Sequence, residues 1–139
     1  MTNQRRQLMA QSNDHCFACG SRNPCGLRLC FAADGEQGVS AVWRTDKAWE
    51  GFRGVIHGGI VSTVLDEAMS KAVATAGVCA LTCELRVRLR QRVEVAEELQ
   101  IRGWVVERRK RRIVTEATLK DSNGLERAHA WATFLEPQQ

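Results

Sequence analysis

Tyrosine is missing from this chain, proline occurs twice, and no apolar run is long enough to span a bilayer. The missing tyrosine, with basic runs that interleave no aromatic residues, argues against a nucleic-acid partner. The two prolines, Pro24 and Pro137, lie near the ends, so the stretch between them is free of strong helix and strand breakers. The opening Met-Thr-Asn-Gln-Arg-Arg-Gln leads into further polar residues and lacks the apolar segment of a signal peptide. These absences predict a cytoplasmic protein with no membrane contact. There is also no internal repeat and no low-complexity linker. Residues 1–15 read as a flexible polar segment and 16–139 as a single domain.

What is present fits that picture. Hydrophobic residues make up 44% of the 139 and charged residues 26%, an ordinary globular balance. Six cysteines in a chain long enough to build its own core are expected as reduced thiols. The net charge of +4 comes from local arginine clusters rather than a basic tail, and suits an anionic ligand.

Residues 16–26, rich in Cys, Gly and Asn-Pro, read as loop. Leu27 to Phe31 and Val39 to Trp43 read as short strands joined through Ala-Asp-Gly at 33–35. From Gly58 to about Ala76 the apolar residues Ile60, Val61, Val64, Leu65, Ala68, Met69, Ala72, Val73 and Ala76 draw one stripe on a helix, which Gly77 stops. The period then becomes two. Leu85, Val87 and Leu89 alternate with Arg86, Arg88 and Arg90, the mark of a strand with one buried and one polar face. Residues 97–107 and 113–120 read as strands around the basic turn 108–112. A last strand runs from Leu125 to Leu135, after the turn signal Asp121-Ser122-Asn123-Gly124. The expected architecture is α+β, an antiparallel sheet with one dominant helix.

The chemistry concentrates in Gly54-Val55-Ile56-His57-Gly58-Gly59-Ile60-Val61-Ser62-Thr63-Val64-Leu65-Asp66-Glu67-Ala68-Met69. A helix that starts at Gly58–Gly59 presents unpaired N–H groups, and glycines let a ligand oxygen come close. The same pair also reads as a packed turn without a ligand. Asp66 projects beside Ser62, Met69 and Val73 at the margin of the apolar stripe, where a carboxylate needs either a task or a salt bridge. Eight residues part Gly58 from Asp66, about 12 Å along one helix, too far for both to reach one carbonyl carbon. If both act in one reaction, the helix end comes from one subunit and the carboxylate from another, and the site lies at an interface.

Residues 16–135 resemble the hotdog-fold thioesterase superfamily, in particular the phenylacetate-pathway (PaaI-like) group. The resemblance rests on His57-Gly58-Gly59 followed nine positions after the histidine by Asp66, inside an Asp-Glu-Ala-Met run, and on the opening Cys16-Phe17-Ala18-Cys19-Gly20-Ser21-Arg22-Asn23-Pro24-Cys25-Gly26-Leu27. It implies a sheet wrapped around the long helix, a homodimer whose sheets join edge to edge, dimers that pair into tetramers, and an acyl-CoA or similar thioester as substrate. Asp66 matches the family's acid, a general base on water or a nucleophile. Gly58 matches the backbone donor to the thioester oxygen, His57 the motif histidine, and Thr82 a hydroxyl that in some relatives orients the attacking water. Gly59, Glu50, Ser62 and Met69 are expected beside the substrate. In one respect the chain departs from the pattern. Many relatives carry Asn or Gln six or seven residues before the histidine, where this sequence has Gly51 and Glu50. An ionised Glu50 cannot donate, so carbonyl polarisation falls to Gly58.

Other signals read more plainly. Cys16 and Cys19, with His15 beside them, make half of a zinc ligand set, but Cys25 and Cys30 do not complete it, and no metal is expected. Arg86, Arg88, Arg90, Arg92 and the 108–112 turn form a solvated face balanced by Glu84, Glu94, Glu97 and Glu98, with one or two arginines left for coenzyme A phosphates. His129 and Trp131 read as packing residues. The expected function is hydrolysis of acyl-CoA thioesters without metal or redox cofactor. Its rivals are a non-catalytic acyl-CoA sensor and a dehydratase or isomerase. The polar stretch before Cys16 has no room for a sensor's DNA-binding helix pair, and the His–acid spacing fits hydrolases better than the second rival.

Overall fold

The structure, a computed structural model, describes residues 15–138; the polar segment read from the sequence lies outside the described residues except for His15. Strands β1 (Ala32–Ala33) and β2 (Gly38–Arg44) come first, followed by a short 3-10 turn at Lys47–Trp49 and helix α1 (Gly58–Thr75). Strands β3 (Leu81–Leu89), β4 (Glu98–Arg109), β5 (Arg112–Asp121) and β6 (Glu126–Leu135) complete the chain. The six strands form one antiparallel sheet in the order β1-β2-β4-β5-β6-β3. This is the hotdog arrangement, a sheet wrapped about one long helix. Among the described residues no helix is long and apolar enough to cross a membrane.

The helix forms where the apolar stripe predicts it. Val61, Val64, Leu65, Ala68, Met69, Ala72 and Val73 are buried against the sheet, while Ile60 and Ala76 at its ends are not. Gly77, at φ +76°, takes the left-handed position that ends the helix at little cost. The sheet side of the core comes from alternate residues, such as Ala128, Ala130, Ala132 and Phe134 of β6. At Gly103 in β4 the helix comes so near that an added Cβ would lie 2.6 Å from the carbonyl oxygen of Ala68. The turns follow their chemistry as well. Asp121 Oδ1 accepts from the N–H groups of Asn123 and Leu125, and Gly124 adopts φ +82°.

Two expectations need correction. Leu27 to Phe31 is not a strand. Arg28 sits at φ +53°, which breaks the extended run. Leu27 and Leu29 are buried, but their N–H groups donate to Phe17 and Ala18 of the cysteine loop rather than to the sheet. Strand β3 buries its apolar face only in part: Val87 packs against the core, and the leucines do not. It crosses to the far edge beside β6, and Leu81, Leu85 and Leu89 remain 58%, 40% and 52% exposed. The segment between β3 and β4 carries the chain from the edge to the sheet interior, so the two strands are not neighbours.

Because Gly103 meets backbone rather than a movable side-chain tip, Gly103→Ala should cost about 1–3 kcal/mol of stability. Urea unfolding should show a lower midpoint with an unchanged slope.

Candidate active site

Asp66 stands half-buried on the margin of α1, and Thr82 Oγ1 donates to its Oδ1 over 2.8 Å. Burial pushes the Asp66 carboxyl above its ordinary value, and the Thr82 hydrogen bond opposes that rise. Thr82 reaches the carboxylate because of an irregularity in its strand. It pairs with the inward-facing Phe134, whereas Glu84 pairs with the outward-facing Thr133, so Cys83 is an extra residue bulged out of the ladder. Beyond the bulge Leu85, Val87 and Leu89 oppose Ala132, Ala130 and Ala128 on the helix side. Unbroken alternation would have put Thr82 with the arginines on the other face.

The second half of the candidate site is the start of α1. His57 caps the helix: its Nδ1 accepts from the N–H of Gly59 at 2.9 Å, and its own N–H donates to the Trp49 carbonyl at 2.9 Å. A ring that accepts at Nδ1 carries its proton at Nε2. Among the described residues nothing accepts from the N–H of Gly58. This end of the helix opens onto a cleft of about 730 Å³ lined by Glu50, His57, Gly58, Leu89, Gln91 and both Arg90 and Arg92, among others. A Cβ on Gly58 would lie 2.9 Å from Leu89 Cδ1, so the helix start abuts the end of β3.

Not every expected residue meets this cleft. Asp66 and Thr82 do not line it; they lie farther along α1 and at the opposite end of β3. Ser62 Oγ donates to the Gly58 carbonyl at 2.9 Å, and Met69 is wholly buried in the core. Gly59 spends its N–H on His57. Glu50 Oε2 accepts from the N–H of Gly54 at 2.9 Å, which ties the loop before the helix. The cleft still gains an uncharged amide in Gln91, contributed by the segment after β3. Gln91 follows His57 in the chain, whereas the family pattern places its amide before the histidine.

The basic residues divide. Arg86 stacks over Trp131 at 4.4 Å on the outer face, and Arg108 pairs with Glu136. Arg90 reaches Glu126 at 2.8 Å and Arg92 reaches Glu94 at 3.3 Å, yet both line the cleft. His129 packs as expected, stacked on Trp131 with centroids 4.4 Å apart and bonded to Glu126 at 3.0 Å.

A model of the thioesterase superfamily matches residues 53–128, more than half of the chain and the whole of α1 and β3. No curated protein sequence matches it. Among solved structures, a thioesterase superfamily protein superposes with a TM-score of 0.84 at 20% identity; the match covers 88% of this chain but 61% of that longer one. The Escherichia coli PaaI protein of the phenylacetic acid degradation operon gives 0.74 at 14% identity over 79% of this chain and 84% of its own. A hypothetical thioesterase of Streptococcus pneumoniae with coenzyme A gives 0.75 at 17%, over 80% and 87%. That protein was also solved with alanine in place of an aspartate and, separately, of a threonine sixteen positions later. With the family model spanning α1 and four of the strands in whole or part, this chain belongs to the thioesterase superfamily.

Proposed function

We propose that the protein hydrolyses acyl-CoA thioesters, with Asp66 as the group that activates water or attacks the carbonyl, in a site shared by two subunits. The observation that carries the reading is the half-buried Asp66 carboxylate, gripped at Oδ1 by Thr82 so that Oδ2 is left for the reaction. In the water route Oδ2 takes a proton as the water oxygen attacks the thioester carbon. The developing oxyanion meets the N–H of Gly58, and the thiol leaves as the tetrahedral centre collapses. Direct attack needs the same ionised carboxylate and the same donor.

Strand β3 supports the shared site. Its nine residues are the longest unpaired sheet edge, and its leucines are exposed. One end of the strand holds Thr82 against Asp66, and the other holds Leu89 against Gly58. Two copies of β3 paired antiparallel about a twofold axis bring the Thr82 end of each beside the Leu89 end of its partner. The Asp66 of one subunit then faces the Gly58 of the other, which spans the roughly 12 Å that separates them along a single helix. The neighbouring cleft supplies Arg90 and Arg92 for the phosphates of coenzyme A, and Gln91 and the Nε2–H of His57 as further donors.

Thiol release from a panel of acyl-CoA esters tests this. Asp66→Asn should lower kcat by at least about 10²-fold, the share typical of a positioned acid–base group. Near-wild-type turnover in that variant would sink the mechanism. No turnover by the wild-type protein on any ester, with ligand binding retained, would favour a sensor.

Stability should move the other way. The folded protein holds the Asp66 proton at pH values where the unfolded chain releases it. The contribution of this group to stability therefore falls as pH rises from the ordinary carboxylate value through the raised one, and stays unfavourable above it. Asn keeps an acceptor for Thr82 and has no charge to bury, so Asp66→Asn should melt roughly 2–4 °C higher at pH 7. Calorimetry should show that difference fading under acid.

Thr82→Val removes the bond that holds the carboxyl down. The acid limb of kcat/KM should shift to higher pH, with kcat reduced about tenfold; an unmoved limb would remove Thr82 from the site.

A further inference from the structure

Away from that site, the cysteine loop meets the outer flank of α1 at a cluster the proposed reaction does not use. Gly20 N–H donates to the Cys16 carbonyl at 2.8 Å, closing one helical turn that puts Cys16 and Cys19 on the same side. The loop is anchored through the N–H groups of Leu27 and Leu29, with Ala18 buried beneath it. Glu67 projects from α1 toward both cysteines. The two Sγ atoms and one Glu67 carboxylate oxygen all lie within 4.8 Å of one another. Lys71, one turn on, stands 3.8 Å from Glu67.

We propose that Cys16, Cys19 and Glu67 bind a zinc ion, with the fourth position left to solvent. Three atoms within 4.8 Å of each other share a point no more than about 2.8 Å from each. That is roughly 0.5 Å beyond zinc–sulfur bonds of about 2.3 Å, a contraction that side-chain rotation supplies. Two thiolates and a carboxylate around a divalent zinc leave one net negative charge, and the Lys71 ammonium balances it. The thiolates select a borderline-soft metal over magnesium or calcium.

The alternative for a Cys-x-x-Cys pair is a redox disulfide, and the surroundings oppose it. A Cys16–Cys19 disulfide would leave the Glu67 carboxylate, whose oxygen lies within 4.8 Å of both sulfurs, facing two neutral atoms, with Lys71 at 3.8 Å as its cation. A metal ion instead binds the deprotonated sulfurs and attracts the carboxylate. The sequence leaves the ligand set half complete because Glu67 is remote along the chain, and Cys25 and Cys30 stay exposed. The ion would clip the loop to the helix one residue from Asp66.

Cobalt(II), titrated into metal-free wild-type protein, is the probe. One equivalent per chain should raise a thiolate-to-cobalt band in the near ultraviolet, and zinc should bleach it. Cys16→Ser and Cys19→Ser should each abolish the wild-type band, and Glu67→Gln should weaken binding at least about tenfold. The Cys25→Ser/Cys30→Ser double variant should leave it intact. No saturable band in the wild-type protein would overturn the site. So would a band that depends on Cys25 and Cys30 instead, or a Cys16–Cys19 disulfide as the resting state. If the cysteine variants fail to fold, the wild-type stoichiometry and Glu67→Gln decide.

Discussion

Ala68 of α1 and Gly103 of β4 meet backbone to backbone, with no side chain on the glycine to hold them apart. That closeness sets the depth at which the helix lies in the sheet. A helix seated this low buries Val64, Leu65, Ala68 and Met69 completely, and its two flanks come level with the surrounding strands and loops. Asp66 and Glu67 occupy those flanks just before Ala68. One faces Thr82 at the sheet edge and the other faces the cysteine loop. Both carboxylates are therefore half-desolvated for the same reason: the core beneath them leaves no room to move outward without losing apolar burial. The chemistry of the chain is a by-product of how tightly its helix is held.

The core of this arrangement was legible in the sequence, since a stripe at helical spacing and a change to period two are direct consequences of burying one face. Gly77 marked the helix end and Asp121 to Gly124 marked a turn because each has a stereochemical task that few residues perform. Leu27 to Phe31 misled because its leucines do alternate inward; the left-handed Arg28 between them leaves no trace in a hydrophobic pattern. The exposed leucines of β3 misled in the opposite direction. Their spacing reports a face meant for burial, and a single chain buries it only in part.

The candidate site was legible by residue type and opaque in geometry. Asp66 stood out by its place on the helix margin and His57 through the family resemblance, and the structure gives the histidine a definite role as helix cap. Gln91 could not be found because it enters the cleft from a segment brought in by the crossing between β3 and β4. Glu67 carries no local signal of its own, since the cysteines it meets lie about fifty positions earlier in the chain. Contacts between distant segments are set by topology, and topology is what a local pattern does not encode.

The bulge at Cys83 divides β3 by parity. Inward-facing residues are odd-numbered beyond it and even-numbered before it, so Thr82 and Leu85 share a face although three positions part them. The strand thus obeys two demands that one regular ladder could not meet together: a hydroxyl turned toward the helix at one end and leucines turned the same way at the other. Deleting the one extra residue would heal the ladder and look harmless in the sequence. It would also force a choice, turning either Thr82 away from Asp66 or the leucine row away from the helix side. Length, as much as identity, is what this strand has to preserve.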